Sequence, residues 1–224
     1  MSHFRCVWKF NVLGGMVNKV YGVGVYDGTG SKTCPVYKRW CGMLERAYTD
    51  RFEAYTGVTV CDEWLIFSNF ELWVSKQTPY WKELHLDKDI LCVGNKVYCP
   101  EKCVFVPPHI NKIFYTQNSD NGLPLGVIRS KRENQPFIGR CSGVVFGTDG
   151  ASSKEILWKR FETKELAHRA WQKAKVDNIV RVLNQYKYSK YYDHRVDTVL
   201  LGVVVSLMSD LQNGIETKNL RRGE

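Results

Sequence analysis

The residues best suited to chemistry lie between His85 and Asn111. Asp87 and Asp89 flank Lys88, and Asn95, Tyr98 and Asn111 follow. On a strand, residues two apart point to the same face. The two carboxylates could then offer oxygens to one divalent cation, since hard ions such as magnesium take such ligands and keep several waters. Lys88 would point to the other face. The same spacing also suits a charged strand end in water, and both readings stand. His85 shares the expected face with Asp87, and His109 sits two residues before Asn111. Each is a candidate base for activating water, or else an ordinary surface or packing histidine.

These side chains need elements to hold them. ELHLDKDIL reads as a strand, GNK as its turn, and VYCPEKCVFVPP as a second extended stretch broken by prolines. PHINKIF then opens a short helix. Upstream, Tyr37, Trp40, Cys41, Leu44 and Tyr48 form one helical stripe after Pro35. Ser68 with Glu71 fits a capping box at the start of a second helix. Valines among glycines up to Tyr26 suggest paired strands. The polar segment 117–135, with the basic loop Arg129, Lys131 and Arg132, reads as a linker. Beyond it, FIGRCSGVVFG and EILWKRF read as strands joined by TDGASSK. Thr163 caps a long helix with Leu166, Ala167, Ala170, Trp171 and Ala174 on its apolar side, and Trp158 and Trp171 are expected in the core. The run from Thr198 to Met208 is apolar, but shorter than the about 20 residues that span a bilayer. It reads as a buried helix or strand, and KNLRRGE as a frayed basic tail.

The chain of 224 residues has 44% hydrophobic residues and a net charge of +9. The apolar content excludes a disordered chain. The positive charge suits a polyanion partner, because basic side chains near phosphates release condensed counterions. Eight cysteines are scattered. The start MSHFRCVWKF lacks the apolar core of a secretory signal, so reduced thiols and a cytoplasmic location are expected. Cys92, Cys99 and Cys103 lie close together but form no C-x-x-C pair. Buried free thiols are therefore expected there in place of structural zinc.

The segment KELHLDKDILCVGNKVYCPEKCVFVPPHINKIF resembles the core of the HNH-type, ββα-metal family of phage-encoded endonucleases, through LDKDIL, GNKxYxPExCxFVP and a trailing IN. VYKRWCGMLERAY and VCDEWLIFSNFELW resemble the stretch that precedes this core. The resemblance covers about residues 17–114. It implies a Mg2+ or Mn2+ site with Asp87 and Asn111 as ligands, to which the strand spacing adds Asp89, and it places Lys88 at the catalytic base, with His85 and His109 as possible substitutes. Lys88 stands where the family has its base histidine, and a lysine rarely gives up its proton at neutral pH. The middle asparagine of the family, which braces the loop, falls near Cys103.

The C-terminal part, with FIGRCSGVVFG and ILWKRFETKELAHRAWQKAK, resembles a degenerate AP2-type DNA-binding domain over about residues 136–185. Trp171 stands where that family has tyrosine. The resemblance implies a sheet that enters the major groove, with Arg140, Lys159 and Arg160 as candidate base or phosphate contacts. These three could equally be solvated sheet residues. YKYSKYYDHR mixes aromatics with cations, which suits nucleic-acid contact or a packed helix end alike.

The expected class is α+β. A small ββα-metal-like core (about 81–114) lies in an N-terminal region of strands and helices, 1–116. A linker (117–135), an AP2-like three-stranded sheet plus helix (136–190) and a helical extension (191–224) follow. Three functions fit: a metal-dependent DNA endonuclease of homing type, a DNA-binding regulator derived from one without cleavage, or a module that targets a host protein. The first two need double-stranded DNA as partner. None needs a membrane, and the oligomeric state is open.

Overall fold

The computed structural model describes residues 19–28, 32–114, 122–147 and 150–220. The described residues form a mixed α+β arrangement with three small sheets. Most of the N-terminal segment expected as paired strands lies outside the described residues. What is described there is a bridge between Val20 and Gly24 and another between Val25 and Ile66.

Helix α1 (Pro35–Tyr48) starts at Pro35, with Cys34 Sγ accepting the Tyr37 N–H at 3.3 Å. Trp40, Met43 and Leu44 are buried. Strand β1 (Thr59–Val60) and helix α2 (Phe67–Ser75) follow. The expected Ser68–Glu71 capping box does not form. Ser68 instead donates its N–H and hydroxyl to the Asp27 carboxylate, at 2.9 and 2.6 Å. A carboxylate from elsewhere in the chain thus serves the helix start, where the helix dipole favours negative charge.

The ββα unit consists of β2 (His85–Asp87), β4 (Val104–Val106) and α3 (Pro108–Ile113). Strands β2 and β4 are antiparallel, with His85 opposite Val106 and Asp87 opposite Val104. Strand β3 (Val97–Tyr98) does not join them; it runs parallel to β1. All three residues of β4 are buried, and its two faces serve different cores. Phe105 packs with α1 and α2, while Val104 and Val106 pack with the C-terminal half. A strand covered on both faces reads as a continuous apolar run, as VFV does.

The C-terminal sheet has the order β5 (Val127–Arg129), β6 (Phe137–Gly147), β7 (Gly150–Phe161). The segment expected as a linker therefore contains a strand. Strand β7 also begins earlier than EILWKRF, because pairing continues to Gly147 opposite Gly150. Helix α4 (Lys164–Tyr186) covers one face, its start capped by Thr163 Oγ1 accepting the Leu166 N–H at 3.2 Å. Its buried stripe is rotated from the expected one: Ala167 and Trp171 are buried, but Leu166 is 50% exposed. Gly126 has φ +74, and a Cβ there would lie 1.9 Å from the Trp171 indole. Only glycine admits that approach.

The run from Thr198 to Met208 lies within helix α5 (His194–Asn213), which packs on α4 and ends at Gly214 in the left-handed region. The tail is docked as far as Leu220, which is buried. Thr217 Oγ1 donates to Asp210 Oδ2 at 2.6 Å, so fraying does not begin at Lys218. Among the described residues, no helix is long and apolar enough to cross a membrane.

Candidate functional site

Strand β2 is short because Asp87 turns the chain. Its Oδ1 accepts the backbone N–H groups of Asp89 and Ile90, at 2.9 and 2.7 Å. A short carboxylate bonding two residues on is a turn former. Asp89 therefore lies beyond the strand, and the two carboxylates do not share a strand face. Lys88 Nζ lies 3.3 Å from Asp89 Oδ2 and donates to the Asn95 carbonyl at 3.0 Å. This lysine holds its own loop.

Asn95 completes that loop and is itself buried. Its Nδ2 donates to the carbonyls of Lys88 and Val97, at 2.6 and 2.7 Å, and its Oδ1 accepts the Val97 N–H. Asn95 thus braces this loop, whereas Cys103 is buried in the N-terminal core. The signal for it in the sequence was an asparagine next to the turn glycine Gly94.

His85 and Asn111 border one cavity of about 440 Å3 between α3 and β6. Asp87 does not border it. Although His85 is exposed at the rim, partial burial holds its imidazole below the ordinary histidine pKa, and Arg39, Arg46 and Lys112 push in the same direction. His109 instead stands edge-on to the Phe146 ring, with centroids 5.6 Å apart. Burial, then Lys112, lowers its pKa too. Its contact is that of a packing histidine.

The donors expected to hold a divalent cation already have other contacts or surroundings. Asp87 Oδ1 already serves two N–H groups, Asp89 faces Lys88, and Asn111 borders a cavity lined by two lysines. Among the described residues, no three His, Cys, Asp or Glu side chains gather. Cys99 and Cys103 are buried, and burial raises their thiol pKa. Cys92 is exposed, unlike the buried thiol expected.

The sheet arranges its cations differently. A Cβ on Gly139 would meet the Ala167 carbonyl of α4, so Gly139 faces that helix. Side chains alternate along a strand, so Arg140 faces away. Trp158 is its register partner on β7, and Arg160 lies two residues further along the same face. Trp158 is 48% exposed, not in the core as expected. The Arg140 guanidinium lies 5.5 Å from the Trp158 ring centroid, and its Nε donates to Glu155 Oε2 at 3.2 Å. Arg160 Nε is buried without a hydrogen-bond partner. Lys159, opposite Gly139, points to the other face and lies over the Phe161 ring at 5.8 Å. Arg129 ends β5, with its guanidinium 5.9 Å from the Phe137 ring centroid. Lys131 and Arg132 are exposed in the turn that follows.

The aromatic run after α4 divides its tasks. Tyr186 is buried and accepts the Asp193 N–H at 2.9 Å. Lys190 lies 4.3 Å from the Tyr80 ring centroid and pairs with Glu83, which also accepts from the Tyr191 hydroxyl. Tyr188 stands 86% exposed.

Comparison with protein-family models, with curated proteins and with solved structures finds no match for this chain.

Proposed function

We propose that this protein binds double-stranded DNA through the face of the β5–β6–β7 sheet turned away from α4. The observation that carries the reading is the Arg140–Trp158 pair, a guanidinium over a half-exposed indole, with Arg160 beside it. Arginine pairs with guanine edges or with phosphates, and an exposed aromatic gives a flat apolar contact to sugar or base. Arg129, Lys131 and Arg132 extend the cationic surface at the β5–β6 turn. The net charge of +9 supplies the long-range attraction. In this reading the protein is a DNA-binding regulator related to phage HNH-type endonucleases, and the ββα unit is a structural seam between two cores.

A second reading, metal-assisted hydrolysis of DNA phosphodiesters, is favoured by one observation. His85 and Asn111 border one cavity, and partial burial lowers the His85 pKa, which favours the neutral form that a general base needs. Magnesium or manganese would supply charge stabilisation at the leaving oxygen, with Asp87, Asp89 and Asn111 as its candidate ligands. Asp87 Oδ1 serves the loop backbone and Asp89 faces Lys88, so the ion would compete with those contacts.

The experiment is incubation with supercoiled plasmid in Mg2+, Mn2+ or EDTA, beside a duplex-binding titration. Salt-sensitive binding without nicking is the expected result. Nicking that needs the metal and disappears in His85→Ala would establish the second reading instead.

A further inference from the structure

Helix α4 buries four polar residues: His168, Gln172, Lys175 and Asn178. Three have evident partners. His168 bridges the Leu125 carbonyl and the Thr217 N–H. Gln172 donates to the Ile215 carbonyl and to Thr217 Oγ1. Asn178 clasps Val144, accepting its N–H and donating to its carbonyl. Lys175 is only 3% exposed, yet among the described residues its ammonium has neither an ion-pair nor a hydrogen-bond partner. Its Nζ is not fully buried, so the ammonium opens onto the cavity beside it, while burial of the side chain lowers its pKa. An anion in that cavity would offset the desolvation that disfavours the charge.

Lys175 lines the cavity of about 440 Å3 that His85 and Asn111 also border. Lys112, Ser142 and Ser153 complete its polar wall, and among the described residues no Asp or Glu takes part. Asn111 Oδ1 is a buried atom without a partner. A half-turn of that amide would offer its NH2 instead, at no change of shape. The volume lies within the range of small-ligand sites, roughly 300–1,000 Å3.

We propose that this cavity is a phosphate-binding site, with Lys175 as the buried counter-charge and Lys112 as the cation at its mouth. Asn111, Ser142 and Ser153 supply the neutral hydrogen bonds. A phosphate suits it better than a carboxylate, because two cations and several polar groups match an anion with more charge and more acceptor oxygens. The phosphate belongs either to a bound DNA backbone or to a free phosphomonoester. The site stands independently of the sheet as a DNA-binding surface.

The test uses the full chain and Lys175→Met, which keeps length and removes charge. Melting is followed in chloride and in inorganic phosphate at equal ionic strength and pH. The wild-type midpoint should rise by about 2–5 °C in phosphate. The variant should not respond, and in chloride it should melt no lower than the wild type, because an unpaired buried charge is gone. Ser153→Glu, at the exposed part of the wall, should abolish the response too, by placing a carboxylate where the anion binds. An equal response in wild type and both variants, or none in the wild type, overturns the site. Adenosine 5′-monophosphate and a DNA duplex then separate the sources. A DNA source makes phosphate compete with duplex and makes Lys175→Met weaken duplex binding; a free ester makes the mononucleotide bind more tightly than phosphate while duplex binding stays unchanged. Trp158→Ala should leave the phosphate response intact, so failure here is distinct from failure of the sheet reading.

Discussion

The guanidinium of Arg140 lies 5.5 Å from the centre of the Trp158 ring, directly across the β6–β7 register. The pair faces away from α4, and Glu155 steadies the arginine through its Nε. A cation over a half-exposed indole is stabilised without being buried, so both groups stay available to a partner. Glu155 also sets a negative charge where a phosphate would approach.

That charge gives the first prediction. Glu155→Gln keeps a hydrogen-bond acceptor for Arg140 and removes the repulsion. Duplex affinity at low salt should rise by about threefold to tenfold, with the gain shrinking as salt is added. Fluorescence anisotropy with labelled duplex reads this, and an unchanged or lower affinity would place the DNA elsewhere.

Asp87 offers a separation of structure from catalysis. Asp87→Ala removes the acceptor for two backbone N–H groups and should cost about 1–2 kcal/mol in denaturant unfolding. Asp87→Asn retains an acceptor oxygen and should stay near the wild type. If the two variants lose equal stability, the turn is not held by Oδ1.

Two glycines should prove intolerant. Gly126→Ala meets the Trp171 ring and an unfavourable φ, and Gly143→Ala puts its Cβ 2.6 Å from Asn178 Nδ2. Each should destabilise by about 1–3 kcal/mol. Gly57→Ala, at a similar φ but in open space, should lose less than Gly126→Ala, since it has no clash.

Stability should also fall with acid. Thr217 N–H donates to His168 Nε2, so that ring is neutral, and burial holds its pKa below the ordinary 6.5. Above that value both folded and unfolded chains carry a neutral imidazole, and the contribution is fully present. As the pH falls through 6.5 the unfolded chain takes up a proton that the folded chain resists, so stability declines until the folded pKa is reached. His85 and His109 shift in the same direction. Denaturant midpoints should be flat above about pH 7 and decline below it. His168→Gln should shallow that decline by about one proton's share; an unaltered slope would remove His168 from the account.

The elements legible in the sequence were those set by periodicity and local punctuation. Pro35 and the Trp40–Leu44 stripe marked α1, and Thr163 marked the start of α4. Alternation alone did not orient Trp158, whose face depends on Gly139 lying against α4. The expectation that Asp87 and Asp89 share a strand face failed because Asp87 bonds its own backbone, a choice that competes with strand extension. The partnered polar residues buried on α4, His168, Gln172 and Asn178, were not legible either. Their partners, Leu125, Val144 and Thr217, lie 34 to 49 residues away along the chain. No local pattern announces such contacts. β4 was read as an extended stretch, but only the packing shows that VFV faces two cores.

The salt dependence of duplex binding, measured for the wild type, Arg140→Ala and Trp158→Ala, tests the central claim most directly. DNA binding through this sheet face predicts steep loss of wild-type affinity with salt. Arg140→Ala should weaken binding by about 1–3 kcal/mol and flatten the logarithmic slope by about one unit, whereas Trp158→Ala should weaken binding and leave the slope unchanged. Wild-type affinity that ignores salt, or variants that bind as the wild type does, would contradict it.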